Sequence, residues 1–147
     1  MKFGMLTTSE EDGSLSSRPM TTQDAGYDGS IWFFAPDDGP LAHAIARNPR
    51  VNVSYAHPGD MRFVSVCGVA ELVDDPARKR ALWNPMAEAW FQGGPEHSHA
   101  ALLRVEVRHA EYWEGSSSRM VQLFAVAKAA ITGRPPVDLG EHVEVKL

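Results

Sequence analysis

The sequence predicts a mainly β fold with peripheral helices, in which the strands form an antiparallel barrel. Six segments show the alternating or the short, doubly apolar pattern of β-strands. Segments with a helical period stand only between or after these strands, which is not the alternation that builds a parallel α/β sheet. The length of 147 residues suits one domain, which we place over residues 1–147.

Turn signals separate the first three predicted strands. The pairs Asp12-Gly13 and Asp28-Gly29 are typical of hairpins, so we expect the three strands to form a meander of hairpins. The third strand, SIWFFA, is apolar on both faces, which indicates burial on both sides. The strands cover Phe3–Thr8, Leu15–Thr22 and Ser30–Ala35.

A helix is predicted after the third strand. Asp38 is the candidate N-cap, and Pro40 suits the first helical turn. Proline disfavours the helical conformation of the residue before it, so Pro49 should end this helix at Asn48.

Two further strands follow this helix. The segment Val51–Tyr55 alternates between apolar and polar residues, and Met61–Val73 is long and apolar on both faces. Gly68 lies inside the long strand and predicts a bend of the kind that barrel strands need. We interpret its neighbour, Cys67, as a small buried hydrophobic residue.

The second half of the chain begins with a helical region. Asp75 followed by Pro76 repeats the pattern of a cap and a first-turn proline. Pro85 should split the region into two short helices, and the Gly-Gly-Pro sequence at 93–95 should end it.

The last predicted elements are one strand and one helix. The strand runs from Leu103 to Trp113, and the apolar stripe of the helix runs from Met120 to Ile131. Gly133 and Pro135 should stop that helix. No element is predicted for Pro136–Leu147.

Three aromatic residues near these helices cannot be buried by their local sequence: Trp83, Trp90 and Phe91. They form either a satellite core or a contact with a second subunit. We interpret them as a dimer contact, because aromatic side chains are enriched in interfaces.

Composition excludes several classes of function. The formal net charge of −5 argues against nucleic acid as the main partner. No apolar run approaches the length of a membrane span, and the first residues do not read as a signal peptide. With one cysteine, an intrachain disulfide cannot form. We therefore expect a cytoplasmic protein without a membrane partner.

Common catalytic motifs are missing from the sequence. There is no dinucleotide fingerprint, no Walker loop, no H-E-x-x-H and no G-x-S-x-G. The pair His97 and His99 has no nearby cysteine or carboxylate to complete a metal site, so we predict none.

The stretch LSSRPMTTQ, from Leu15 to Gln23, places a proline directly after an arginine within a strand. Pro19 cannot donate a ladder hydrogen bond, so it belongs at a sheet edge or a strand end. Arg18 carries a planar fork that matches phosphate or carboxylate oxygens. Taken alone, Arg18 is better read as a solvated charge on an edge strand, and only its context favours an anion site.

Much of the chain resembles the general stress protein branch of the pyridoxamine-phosphate oxidase-like family. The resemblance extends over about 110 positions in the same order and spacing. It rests on MLTT with DG-x-L-x-SRPM, G-x-IWFF, NPRVNVSYAHPG, FVSVCGVAELVDD, LWNPMAEAWFQGG and AEYWE.

The resemblance implies a split β-barrel that forms a homodimer and binds FMN, or FAD, in a cleft between subunits. It implies that Arg18 grips the flavin phosphate, and that the backbone from Pro19 through Met20 to Thr21 runs beside the flavin ring. The other implied flavin-binding positions are the strand end at Phe34 and Ala35, the helix start at Pro40 and Leu41, Phe63 on the long strand, and Trp113. For Trp113, simple core packing is an equal alternative.

This chain departs from the family at the start of the first helix. Relatives commonly read S-P-K there, whereas this chain reads Gly39-Pro40-Leu41. A second phosphate cation is therefore missing at Leu41, which we expect to weaken FMN binding. The N–H groups of the helix N-terminus remain favourable for a phosphate.

The functions implied by the resemblance are a flavin-dependent oxidoreductase of unknown substrate, with NAD(P)H or another small reductant, or a non-enzymatic stress protein that stores or senses flavin. A barrel that has lost its ligand is a third reading. We do not expect true pyridoxamine-phosphate oxidase activity, because the C-terminal third lacks a matching cationic cluster. The sequence identifies no catalytic residue.

Overall fold

The structure, a computed structural model, describes residues 1–115 and 140–146. Within them the chain forms seven strands, four helices and a 3₁₀ turn at Pro58–Asp60. The strands are β1 (Phe3–Ser9), β2 (Leu15–Thr21), β3 (Ser30–Pro36), β4 (Arg50–His57), β5 (Arg62–Val73), β6 (Ala100–Gly115) and β7 (Gly140–Lys146). The helices are α1 (Pro40–Arg47), α2 (Pro76–Leu82), α3 (Pro85–Phe91) and α4 (Gly94–His97).

The strands form one antiparallel sheet in the order β2-β1-β4-β5-β6-β3, with β7 also paired to β6. Its two end strands approach each other, because the N–H of Gln23, just after β2, donates to the carbonyl of Trp32 in β3 at 2.8 Å. The sheet therefore curls into an incompletely closed barrel. This confirms the predicted split β-barrel with peripheral helices.

The predicted meander is wrong for β3. The first hairpin forms as expected, but β3 leaves β2 and pairs with β6 along its whole length. The residues of β3 from Trp32 to Ala35 are buried on both faces. Such a strand needs a long apolar neighbour and a cover on both sides, which the polar, half-exposed β2 does not offer.

Two apolar cores lie on opposite faces of β3. The first core fills the barrel, and the second packs α3 and the start of β6 against β3. Fully buried members of the first core are Leu6, Phe33, Val53, Leu103 and Val105. The second core contains Trp32, Phe34, Ala87, Ala100 and Leu102.

The long strand β5 bends where the sequence predicted it. Its register with β6 shifts between Cys67 and Gly68, which marks a β-bulge. A Cβ at Gly68 would press against the carbonyl oxygen of Glu106 and lie 2.8 Å from Cγ1 of Val105. Glycine is thus required by the close approach of β6.

The prediction that Cys67 is buried is wrong. Side chains alternate along β5, so Val66 points into the barrel and Cys67 points to the outer face, where it is exposed. There Asn52 donates its Nδ2–H to the sulfur at 3.4 Å.

Most helix boundaries follow the predicted signals. The Gly-Gly-Pro sequence at 93–95 does not end the helical region, because α4 begins within it at Gly94. Asp75 caps α2 by accepting from the N–H of Arg78, and Asn84 caps α3 directly before Pro85, so the predicted split is confirmed. For α1 the predicted cap is wrong. The N-cap is Gly39 with φ 109°, and Asp38 instead pairs with His43 at 2.9 Å. The Gly39 N–H and, after it, His43 lower the pKa of Asp38.

The three aromatic residues near these helices divide into two groups. Trp83 and Phe91 pack against the second core, as a satellite core would, whereas Trp90 is 79% exposed. The predicted helix Met120–Ile131 lies outside the described residues, and β7 occupies a segment for which no element was predicted. No helix in the described ranges is long and apolar enough to cross a membrane.

Gly68→Ala should destabilise the fold by about 3 kcal/mol, because the added methyl group collides with the β6 backbone. Gly59→Ala is the matched control, since its Cβ would lie 3.7 Å from His57, at ordinary contact distance. Its effect should stay within about 0.5 kcal/mol. The free energy of unfolding in urea measures both variants, and equal losses would argue against the close approach at Gly68.

Candidate functional site

Strand β2 has an open edge in the described structure, with β1 as its ladder partner on the other side. The N–H of Thr22 donates to the carbonyl of Lys2 at 2.8 Å. Bonded and non-bonded pairs alternate along an antiparallel ladder. The backbone groups of Ser17, Pro19 and Thr21 therefore point away from β1, towards the open edge. Pro19 has no N–H, and its position in the strand is one at which an N–H would point to the open edge and not to β1.

Arg18 points into the barrel side of this edge strand, opposite Leu6. Its side chain is 25% exposed, and its Nη2 lies 3.4 Å from Oε1 of Glu10. Its Nη1 is buried and has no hydrogen-bond partner among the described residues. The Nη1 side of the charged guanidinium group is thus removed from water without a hydrogen-bond acceptor. This burial costs free energy unless an anion accepts a hydrogen bond from Nη1.

A shallow groove of about 720 Å³ separates the β1–β2 hairpin from the start of α1. Pro40 is the first residue of α1, and the helix N-terminus has no side-chain cap. Its first-turn N–H groups are therefore a second feature that suits an anion. The groove is lined by Glu10, Glu11, Asp12, Ser14, Pro40, His43 and Arg47.

Leu41 is buried and presents no polar group to this groove. Its side chain is 8% exposed and belongs to the first core. A lysine placed there would have to leave the core before its ammonium group reached water or a phosphate.

Phe63 and Trp113 are direct cross-strand partners on the outer face of the sheet. Residues paired across strands share a face, and the register links this face through Ser54 to Met5 on β1. Phe3, Met5 and Trp113 are each more than a third exposed. We call Phe3, Met5, Phe63 and Trp113 the outer patch. Trp113 lies in this patch and in neither core.

Phe34 and Ala35 lie on opposite faces of β3. Ala35 is buried in the first core. Phe34 belongs to the second core, where its ring meets Trp83 edge-on with the centroids 5.3 Å apart. Both residues are therefore core residues of β3, with 8% and 1% of their surface exposed.

The end of β2 is fixed by side chains that the sequence reasoning missed. Gln23 donates its Nε2–H to the carbonyl of Thr21 at 3.0 Å, and Asn84 donates to Oε1 of Gln23 at 2.7 Å. Asn84 also caps α3 through its Oδ1. An asparagine directly before a proline is a recognisable helix-start signal, but no sequence pattern indicates the second contact of Asn84.

The neighbouring Thr22 anchors the same segment to the first core. Its hydroxyl lies 2.7 Å from that of Tyr55, and burial, opposed by this hydrogen bond, raises the pKa of Tyr55. The hydroxyl of Thr21 contacts Sδ of Met86 at 3.5 Å, and Met20 packs on the first core. The open edge is therefore held in a fixed position.

The predicted site residues thus occupy four places in the chain. Arg18, Pro19, Met20 and Thr21 share the edge strand, and Pro40 lies across the groove from the β1–β2 turn. Phe63 and Trp113 lie on the outer patch, and Phe34, Ala35 and Leu41 are buried in the cores. The arrangement offers a buried cation beside an open backbone edge and, separately, an exposed apolar face. Among the described residues, no three His, Cys, Asp or Glu side chains come together as a metal site.

Comparison with known proteins identifies relatives of the same fold. The general stress FMN/FAD binding protein from Xanthomonas citri is 37% identical, with a TM-score of 0.69 over 80% of this chain and 82% of its own. A Clostridium acetobutylicum protein related to general stress protein 26 has a TM-score of 0.73 over 100% of this chain and 87% of its own. Its identity of 14% shows a shared fold alone.

A curated relative and a family model extend the comparison to sequence. Protein bli-3 of Neurospora crassa is 29% identical over 146 residues, which cover 91% of this chain and 69% of the Neurospora protein. The family model for pyridoxamine 5'-phosphate oxidase-like proteins matches residues 1–137. With nearly the whole chain matched, this protein belongs to the pyridoxamine 5'-phosphate oxidase-like family.

Proposed function

We propose that the protein is a single domain that binds a flavin, FMN or the related FAD, at the open edge of β2, with the phosphate on Arg18. The observation that carries the proposal is the buried Nη1 of Arg18, which has no acceptor among the described residues. A phosphate offers several oxygens to a guanidinium fork. The Xanthomonas relative, named as FMN/FAD binding, adds independent support.

The residues present fit such a ligand in two respects. Glu10, the carboxylate that pairs with Arg18, lines the same groove as the start of α1. The guanidinium of Arg18 and the uncapped helix start both favour an anion. The open edge offers the carbonyl of Pro19 and the N–H of Thr21 to a planar ring with polar edges. The carbonyl of Thr21 is already bonded to Gln23. Leu41 adds packing and no charge.

We further propose a homodimer formed through the outer patch. Large apolar side chains exposed together on one sheet face are typical of interfaces. A second copy would cover Phe63 and Trp113 and bring its own surface to the edge of the first barrel. This arrangement explains why the predicted flavin residues do not meet within one protomer.

Flavin-dependent oxidation and reduction is the activity we propose, with NAD(P)H or another small molecule as reductant and a cytoplasmic location. A bound flavin would supply the electron-transfer chemistry, and the protein would supply position and charge. Storage or sensing of flavin is the alternative. Turnover of NADH or NADPH by the FMN-loaded protein distinguishes the two, because a storage protein would bind FMN without oxidising either nucleotide.

Arg18→Ala should weaken FMN binding by ~2–3 kcal/mol and leave riboflavin binding nearly unchanged, because only FMN carries the phosphate. Arg18→Lys should recover part of the loss, since lysine keeps the charge and loses the fork. Fluorescence quenching titrations measure these affinities. Arg80→Ala removes the same charge from an exposed site and serves as control. An unchanged FMN affinity in Arg18→Ala would exclude this phosphate site.

Phe3→Glu should weaken the dimer, because it places a charge in the outer patch. Trp90→Glu is the matched control, since it changes an exposed aromatic residue outside the patch. Sedimentation at micromolar concentration should show about twice 16.1 kDa for the wild type and for the control. Dissociation by Trp90→Glu alone would move the interface to the helices, and a monomeric wild type would contradict the dimer.

A further inference from the structure

We propose, resting on the flavin-binding function above, that Glu10 occupies the anion site of Arg18 in the absence of ligand and sets its selectivity for phosphate-bearing ligands. Oε1 of Glu10 lies 3.4 Å from Nη2 of Arg18, and both side chains are about three-quarters buried. Among the described residues Glu10 is the only carboxylate paired with Arg18. A ligand phosphate that is to bind both guanidinium nitrogens therefore has to displace it.

The hairpin turn holds Glu10 in place. Its N–H donates to the carbonyl of Ser14 at 2.8 Å, and its carbonyl accepts from the N–H of Gly13 at 3.1 Å. The side chain is steadied by the buried Thr8, whose hydroxyl donates to Oε1 at 3.2 Å. Glu10 is thus presented to Arg18 by the fold and is not a freely moving surface carboxylate.

The contact with Glu10 leaves Arg18 incompletely satisfied. One carboxylate oxygen is shared between Thr8 and Nη2, and Nη1 remains without an acceptor in the described residues. A phosphate monoester has enough oxygens to reach both nitrogens of the fork. Exchange of Glu10 for phosphate is therefore favourable for Arg18, but breaking the resident pair reduces the net affinity. A flavin without a phosphate avoids this loss.

Glu10→Gln should tighten FMN binding about fivefold and leave riboflavin binding unchanged. The substitution keeps the shape and still accepts from Thr8, but it removes the charge that competes for Arg18. The expected factor corresponds to a partly exposed ion pair of about 1 kcal/mol. Flavin fluorescence quenching measures both ligands.

Glu96→Gln is the matched control for net charge, because Glu96 lies outside the groove. The side chain of Glu96 is 51% exposed and lies 3.5 Å from Arg80. Its substitution should change FMN affinity less than twofold. Equal tightening by both variants would mean a general charge effect and would overturn the role of Glu10.

The double variant Arg18→Ala with Glu10→Gln shows whether the effect passes through Arg18. In the Arg18→Ala background, Glu10→Gln should no longer change FMN affinity. A persisting fivefold gain would overturn the proposal.

Inorganic phosphate separates this proposal from flavin binding itself. Phosphate should raise the melting temperature of Glu10→Gln more than that of the wild type. This difference should disappear when both proteins also carry Arg18→Ala. If phosphate does this while FMN fails to bind, the flavin function is wrong and the role of Glu10 stands. If FMN binds the wild type and Glu10→Gln changes the binding of neither FMN nor phosphate, the role of Glu10 is wrong. If neither FMN nor phosphate binds to either protein, the flavin function and the role of Glu10 are both wrong.

Discussion

The two-residue period of the β1–β2 ladder is the constraint on which the candidate site depends. It turns the side chain of Arg18 into the barrel and the backbone of Pro19 towards the open edge. A slip of one residue would exchange the two faces along the whole strand. The turn prevents this, because Asp12 accepts from the N–H of Ser14 at 2.9 Å and the backbone of Glu10 pairs with that of Ser14.

The same ladder explains why a strand would interrupt its own hydrogen bonding beside an arginine. An unprotected edge invites another strand, and natural sheets block such edges. Here Pro19 removes one outward donor, and Gln23 occupies the outward carbonyl of Thr21. A continuous ladder can no longer be added to β2, yet single donors and acceptors stay open to a small ligand. Protection of the edge and access for a ligand therefore come from the same residues.

Local sequence signals predicted the elements better than their partners. The bend at Gly68 and the helix break at Pro85 are set by nearby residues and were found. The pairing of β3 with β6 depends on residues some 70 positions apart, which no local pattern encodes. Cys67 was misplaced because β5 is apolar on both faces, so its alternation does not show which face lies outward.

The site itself was predictable only in part, for a related reason. Residue type and the family resemblance together singled out Arg18 as an anion-binding candidate. Its buried nitrogen, unpaired within the described residues, depends on the way Glu10 and Thr8 converge in the hairpin. Leu41 could be compared with the lysine of relatives by position, whereas its place in the first core follows from the packing of α1 on the barrel. Position in a motif and direction of a side chain are separate properties, and only the first can be read from the sequence.

Asn84 joins the helices to the site in a way that gives the second core a role beyond stability. Its oxygen accepts from the first N–H groups of α3, and its nitrogen donates to Gln23, so one side chain serves both the helix start and the open edge. The second core fixes α3 against β3 through Ala87, Trp32 and Phe34. Because α3 cannot shift without moving Asn84, the position of the Thr21 backbone is set by apolar packing on the far side of β3. The second core, on the far side of β3, therefore fixes the open edge of β2 through Asn84 and Gln23.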